Sequence, residues 1–190
     1  MIIFIVPKNS GLAITKEIAE DYTGEILEVR GEDIPLFVEE LSKQNKKVIG
    51  ITGDDLLKEF LIRRKNTCLE IKKVISWKDE KCIFGKPTLC LMGSEKENLG
   101  DISKTLKICI NRKYLETAEK YLKKLEKKGF RFEKFYLSGA TESMFQKGLV
   151  DLVIDIVCSG KSAEEAGLKV YDRIFSSDIV VISCKAVVEK

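Results

Sequence analysis

The 190 residues suffice for one large α/β domain or two small lobes with a substantial core. With 44% hydrophobic and 33% charged residues the chain is globular rather than disordered, and a net charge of +3 is too small to point to nucleic acid. The absence of histidine excludes Ser-His-Asp and Cys-His catalysis, so any chemistry falls to carboxylates, Lys, Arg, hydroxyls, backbone amides or a borrowed metal ion.

In chain order, residues 2–6 (IIFIV) form a continuous β-branched and aromatic run, the signature of a strand buried on both faces. Pro7 stops it. A KNSGL loop follows, then a short amphipathic helix (AITKEIAEDY) closed by Gly24. EILEV (25–29) reads as a second strand, and EDIPLFVEELSKQN (32–45) as a helix with Pro35 near its first turn. KVIGI (47–51) is a third strand, leading through TGDD into a helix that begins at Asp54 or Asp55. CLEIKKVISW (68–77) and CIFGKPTLCLMG (82–93) are strand-like. The polar stretch 94–103 is the expected domain boundary.

Beyond it the alternation resumes. LKICI (106–110) is a strand, and 113–129 an amphipathic helix capped by Gly129. FRFEKFYL (130–137) alternates, TESMFQKG (141–148) is helical, and LVDLVIDIV (149–157) and IVVIS (179–183) are strands. Strands alternating with helices predict parallel α/β architecture. The Lys-rich helix interleaves Glu with Lys, which makes it a solvated face and not a nucleic-acid surface. The six cysteines show no Cys-x-x-Cys pair. They read as reduced thiols of a cytoplasmic protein, and their spacing does not make a zinc site. No signal peptide and no membrane span is expected.

The stretch DLVIDIVCSGKSAEEAGL (151–168) carries the chemistry. Asp151 and Asp155 lie in an apolar strand that runs into a Ser-Gly-Lys-Ser loop and a helix start. Ser162 with Glu165 three residues on spells a capping box, which would place residues 158–162 at a helix N-terminus, where free N–H groups favour an anion. Gly160 would allow close approach and Lys161 adds charge, although the same stretch also suits an ordinary strand–turn–helix connection. The glycine that a Walker A motif requires is Asp155 here, so this is no nucleoside-triphosphatase loop.

Residues 137–168 resemble ATP phosphoribosyltransferases in Gly139 and Glu142, then Gly148, Leu149 and Asp151, then Asp155, Ser159, Gly160 and Ser162. VRGEDIPLFVEE (29–40), IGITGDDLL (49–57), FGKPTLCL (84–91) and SSDIVVIS follow the family's order. The resemblance implies a two-lobed fold like type II periplasmic binding proteins, with a cleft between lobes at 1–93 plus 178–190 and at 94–177. It implies transfer of a phosphoribosyl group from phosphoribosyl pyrophosphate to N1 of ATP, the first step of histidine biosynthesis, with substrate-bound Mg²⁺. Asp151, Asp155, Ser159, Gly160, Lys161 and Ser162 would hold the sugar phosphate. Lys8, Arg30, Thr52 and Gly53 would meet ATP or pyrophosphate, and Glu142 with Asp155 would serve the reacting centre. The family's short form implies a dimer or larger assembly with a partner resembling histidyl-tRNA synthetase.

The chain departs from the family in Pro-Lys-Asn-Ser-Gly for the first loop, Val48 for an acidic residue, NRKYL (111–115) opening the second lobe, and Ser162-Ala163 in the phosphate loop. A paralogue that binds another phosphorylated or small anionic ligand is the alternative reading.

Overall fold

The computed structural model describes residues 2–8 and 24–185. The expected first loop beyond Lys8 and the helix before Gly24 lie outside them. The chain forms two α/β units, residues 1–76 with 178–190, and residues 77–177.

Among the described residues the first unit holds one five-stranded sheet in the order β2-β1-β3-β10-β4. Its strands are β1 (Ile2–Pro7), β2 (Gly24–Val29), β3 (Lys47–Gly53), β4 (Leu69–Ile75) and β10 (Ile179–Cys184). β2, β1 and β3 run parallel, whereas β10 is antiparallel to both of its neighbours. Helix α1 (Ile34–Ser42) starts with Pro35 in its first turn, where a missing N–H costs nothing. Its Ile34 and Val38 join Ile3, Ile5, Leu57, Val180 and Ile182 in the core. Gly50 is required where β3 passes under α1, because a Cβ there would stand 2.5 Å from Val38 Cγ2 and 2.8 Å from Ile34 Cγ2. Helix α2 (Asp54–Arg63) follows β3 directly. Asp54 pins the start of β10: its amide donates to the Asp178 carbonyl at 2.9 Å, and its Oδ1 accepts from the Asp178 amide at 2.8 Å.

The second unit repeats this plan in the order β7-β6-β8-β5-β9. The strands are β5 (Thr88–Ser94), β6 (Thr105–Asn111), β7 (Arg131–Leu137), β8 (Leu152–Val157) and β9 (Leu168–Ser176). β7, β6 and β8 are parallel, and β5 runs antiparallel between β8 and β9. Helices α3 (Leu115–Glu126), α4 (Thr141–Gln146) and α5 (Lys161–Glu165) complete the unit. Every residue of β5 from Thr88 to Gly93 is buried, which explains its unbroken apolar run.

The structure differs from the sequence reading at three points. The unit boundary lies at Ser76–Trp77, not near residue 94, because β5 hydrogen-bonds to β8 and β9 of the second sheet. The strand β9 escapes the periodicity reading because two bulges break its pairing with β5. Four cysteines are disulfide-bonded, Cys68 to Cys184 and Cys82 to Cys158, and only Cys90 and Cys109 are free and buried. Among the described residues no helix is long and apolar enough to cross a membrane.

Candidate functional site

In a parallel sheet the strand ends and following loops at the carboxyl edge form the ligand crevice. In the first unit, β1, β2 and β3 bring four candidate residues to that edge: Lys8 after β1, Arg30 after β2, and Thr52 and Gly53 at the end of β3. Lys8 donates its amide to Val29 at 2.7 Å, and Lys8 and Arg30 are exposed. Thr52 is fully buried, and its hydroxyl donates to the Gly31 carbonyl at 2.9 Å. That bond fixes the turn beside Arg30, so the hydroxyl has a structural partner already.

At the corresponding edge of the second unit a hydrogen-bonded chain of side chains forms. Asp155, near the end of β8, is its centre. Its Oδ1 accepts from Asn111 Nδ2 at 2.9 Å and from the Ile156 amide at 2.7 Å. Its Oδ2 accepts from Thr141 Oγ1 at 2.6 Å. The Thr141 hydroxyl also lies 3.2 Å from Glu142 Oε2, and Glu142 Oε1 accepts from Ser162 Oγ at 3.0 Å. The end of β6, the start of α4, the end of β8 and the start of α5 are thereby joined through Asn111, Thr141, Glu142, Asp155 and Ser162.

Burial pushes the Asp155 carboxyl above the ordinary aspartate value of 3.8, and the nearby Glu142 charge adds to it. The hydrogen bonds from Thr141, Ile156 and Asn111 oppose that rise by favouring the carboxylate. The turn that presents Thr141 and Glu142 is strained: Ala140, at the N-cap of α4, has φ 53°, a left-handed conformation that disfavours a Cβ. Strain held at such a junction marks a place where the positions of the next side chains matter.

The loop itself runs Cys158-Ser159-Gly160 and turns into α5 through Gly160, whose φ of 73° suits glycine. The expected capping box does not form. Gly160 is the N-cap, α5 begins at Lys161, and the Ser162 hydroxyl goes to Glu142 instead. Ser159 is exposed, and its Oγ accepts from the Lys161 amide at 3.4 Å. Lys161 is exposed and pairs with Glu165 at 3.8 Å.

Asp151 is not part of this group. It precedes β8, exposed, with its Oδ2 accepting from the Lys107 amide at 2.7 Å and its own amide donating to the Lys107 carbonyl at 2.8 Å. The six residues of β8 separate it from the loop by about 20 Å. Asp151 thus secures the entry of β8 beside β6, at the opposite end of the strand from the Ser159–Ser162 loop.

Asn111 and Thr141 were missed as site residues. Asn111 lies 44 residues from Asp155, and only its position at the end of a parallel strand hinted at a role. Thr141 opens the helix expected over 141–148, next to Glu142, and sequence alone makes it an ordinary helix start.

Comparison with known proteins gives a family and a fold. A family model described as HisG, ATP phosphoribosyltransferase, matches residues 30–190. The ATP phosphoribosyltransferase of Sulfurisphaera tokodaii is 31% identical over 160 residues, covering 84% of this chain and 50% of that protein. That of Methanococcus maripaludis is 28% identical over 167 residues, covering 86% of this chain and 51% of the relative. The chain therefore spans about half the length of the curated relatives it matches. Among solved structures, the ATP phosphoribosyl transferase (HisG:HisZ) complex of Thermotoga maritima superposes with a TM-score of 0.71 at 20% identity, over 97% of this chain and 88% of that one. The periplasmic sulfonate-binding protein SsuA of Methylobacillus flagellatus gives 0.58 at 15% identity, over 97% and 62%. At those identities the likeness is one of fold: both units have periplasmic-binding-protein-like α/β topology.

Proposed function

The chain belongs to the ATP phosphoribosyltransferase family, and from that premise we propose that it transfers the phosphoribosyl group of phosphoribosyl pyrophosphate to N1 of ATP. The observation that carries the reading is the hydrogen-bonded chain from Asp155 through Thr141 and Glu142 to Ser162. It ties the loop after β8 to a partly buried carboxylate at the carboxyl edge of the sheet, where a sugar phosphate is best held.

On this reading the backbone of Ser159–Ser162 and the Ser159 hydroxyl receive the 5-phosphate, while the Ser162 hydroxyl, donated to Glu142, holds the loop in position. The first-turn amides of α5 have no acceptor within the helix, and Gly160 lets an oxyanion approach them. Asp155 orients the ribose hydroxyls and Glu142 faces the reacting carbon. Lys8 and Arg30 give positive charge to ATP or pyrophosphate. The reaction inverts C1 and expels pyrophosphate. It needs little covalent help from the protein: two polyanions are aligned, and developing charge is met by fixed dipoles.

The oxygens at the loop suit a hard cation. Asp155 already accepts three hydrogen bonds, so Glu142 is the carboxylate that would hold Mg²⁺, together with substrate phosphates. When bound, the ion neutralises the leaving pyrophosphate. A cytoplasmic assembly of more than one copy, with a regulatory partner like HisZ, completes the proposal.

The alternative, a paralogue that binds another phosphorylated anion, is favoured by one observation: the Thr52 hydroxyl is committed to Gly31 instead of to a ligand. Calorimetric titration with phosphoribosyl pyrophosphate and Mg²⁺ tests the main reading. Ser162→Ala and Asp155→Ala should each weaken binding by about tenfold or more, and release of pyrophosphate with ATP present should separate enzyme from paralogue. A folded protein that binds nothing would sink the loop assignment.

A further inference from the structure

The loop after β8 is also fastened from outside its own hydrogen-bonded chain. Cys158, the first residue after β8, is disulfide-bonded to Cys82, 76 residues earlier. The Ile83 amide donates to the Cys158 carbonyl at 2.8 Å. The Ile83 side chain lies where a Cβ on Gly160 would meet its Cδ1 at 3.3 Å. A covalent bond and a hydrogen bond thus bear on Cys158 from two adjacent residues, and the Ile83 side chain leaves little room for a side chain at position 160. The segment that supplies them is neither helix nor strand. It is folded by turns in which Cys82 donates to the Asp79 carbonyl at 3.0 Å and Gly85 to that of Cys82 at 2.8 Å.

The two cysteines differ in burial. Cys82 is 4% exposed, whereas Cys158 is only partly buried, so a thiolate arriving from solvent meets the Cys158 side of the bond. We infer that Cys82–Cys158 is a reversible modification site whose reactant is a small thiol or its disulfide, and whose state sets how tightly the 158–162 loop holds a phosphorylated ligand. The inference rests on the phosphate reading of that loop.

In reduction, RS⁻ attacks the Cys158 sulfur, the bond to Cys82 breaks, and the electron pair leaves on the Cys82 sulfur, which takes up a proton. A second RS⁻ attacks the R sulfur of the mixed disulfide, giving RSSR and the Cys158 thiolate, which is then protonated. Two RSH are oxidised to one RSSR, and the protein gains two electrons and two protons. A small disulfide runs the sequence backwards.

The other cysteines leave the readout clean. Burial pushes the Cys90 and Cys109 thiols up to about 12 and about 11, so the thiolate that exchange requires is scarce near neutral pH. Cys68–Cys184 belongs to the first unit and is removed by working in a Cys68→Ser, Cys184→Ser background.

The test equilibrates the full chain in glutathione buffers from oxidising to reducing. Hydrogen exchange is followed at residues 158–163, and each state is titrated with phosphoribosyl pyrophosphate and Mg²⁺. Reduction is expected to speed exchange in the loop and to weaken binding about tenfold, since the ligand must then order about one more residue. Saturating ligand should make the pair harder to reduce by about 30 mV for that tenfold. Cys82→Ser and, independently, Cys158→Ser should reproduce the reduced affinity without any reductant. Equal affinity in both states, or a pair that stays disulfide-bonded throughout the series, overturns the inference and leaves the phosphate reading standing. Binding in neither state overturns the phosphate reading, and the inference with it.

Discussion

Replacing Thr141 by valine removes one hydroxyl and keeps nearly the same shape. Thr141 is fully buried, and its Oγ1 makes the 2.6 Å hydrogen bond to Asp155 Oδ2. The other two donors to Asp155 reach Oδ1, so the variant leaves Oδ2 without the partner described for it. A hydrogen bond to a charged acceptor is worth about 1.5–3 kcal/mol, and taking a middle value Thr141→Val should destabilise the fold by about 2 kcal/mol near neutral pH. For a chain of this size that is a fall in Tm of about 4–8 °C, readable by calorimetry or circular dichroism. The pH dependence gives a sharper check. The Asp155 carboxyl is already raised above 3.8, so its favourable contribution to stability is present in acid and lost as pH climbs through its folded value. Thr141 opposes that rise, so the variant's carboxyl sits higher still and loses more stability over the same climb. The difference between variant and parent should therefore be small below the ordinary aspartate range and grow to its full size above both folded values. Thr141→Ser, which keeps the hydroxyl, should recover most of it. A loss below about 0.5 kcal/mol near neutral pH, or one that does not change with pH, would refute the assignment of Thr141 as a donor to an ionised Asp155.

Asp151→Ala should cost about 1 kcal/mol through the lost bond to the Lys107 amide. It should leave the affinity for phosphoribosyl pyrophosphate within about twofold, well short of the loss a ligand-contacting residue would show, and titration and thermal unfolding on one sample check both. Gly50→Ala forces a methyl against Val38 and Ile34, and overpacking of this kind costs about 1–3 kcal/mol, to be read from urea midpoints. Cys184→Ser opens a disulfide that spans 116 residues, and loss of about 2–5 kcal/mol is expected. Reductant should lower the Tm of the parent by the larger amount and that of the variant only by what Cys82–Cys158 contributes.

The parallel strands were legible because strands covered on both faces are written as unbroken apolar runs, as in IIFIV and KVIGI. What decides sheet membership is pairing with residues far along the chain. Composition does not encode that, and the polar stretch after β5 therefore suggested a boundary where there is only an exposed connection within one unit. The Glu142–Ser162 contact lay within one contiguous motif and its parts could be named from sequence. Asn111, 44 residues from Asp155, and the cysteine partners, 76 and 116 residues apart, could not be paired by spacing. Asp151 and Asp155, four apart in sequence, flank most of β8 and bond at opposite ends of it, and only Asp155 joins the group that includes Ser162.

The return of the chain into the first sheet at β10 has a consequence for biosynthesis. β10 lies between β3 and β4, so those two strands have no partner in common until residues 179–184 leave the ribosome. The second unit is one unbroken stretch, 77–177, and all of its strands emerge before β10 does. The half of the protein that is started first is therefore finished last. A released chain truncated after residue 177 would carry one completed sheet and, N-terminal to it, an open row of strand edges, the kind of surface that chaperones protect from pairing with another chain.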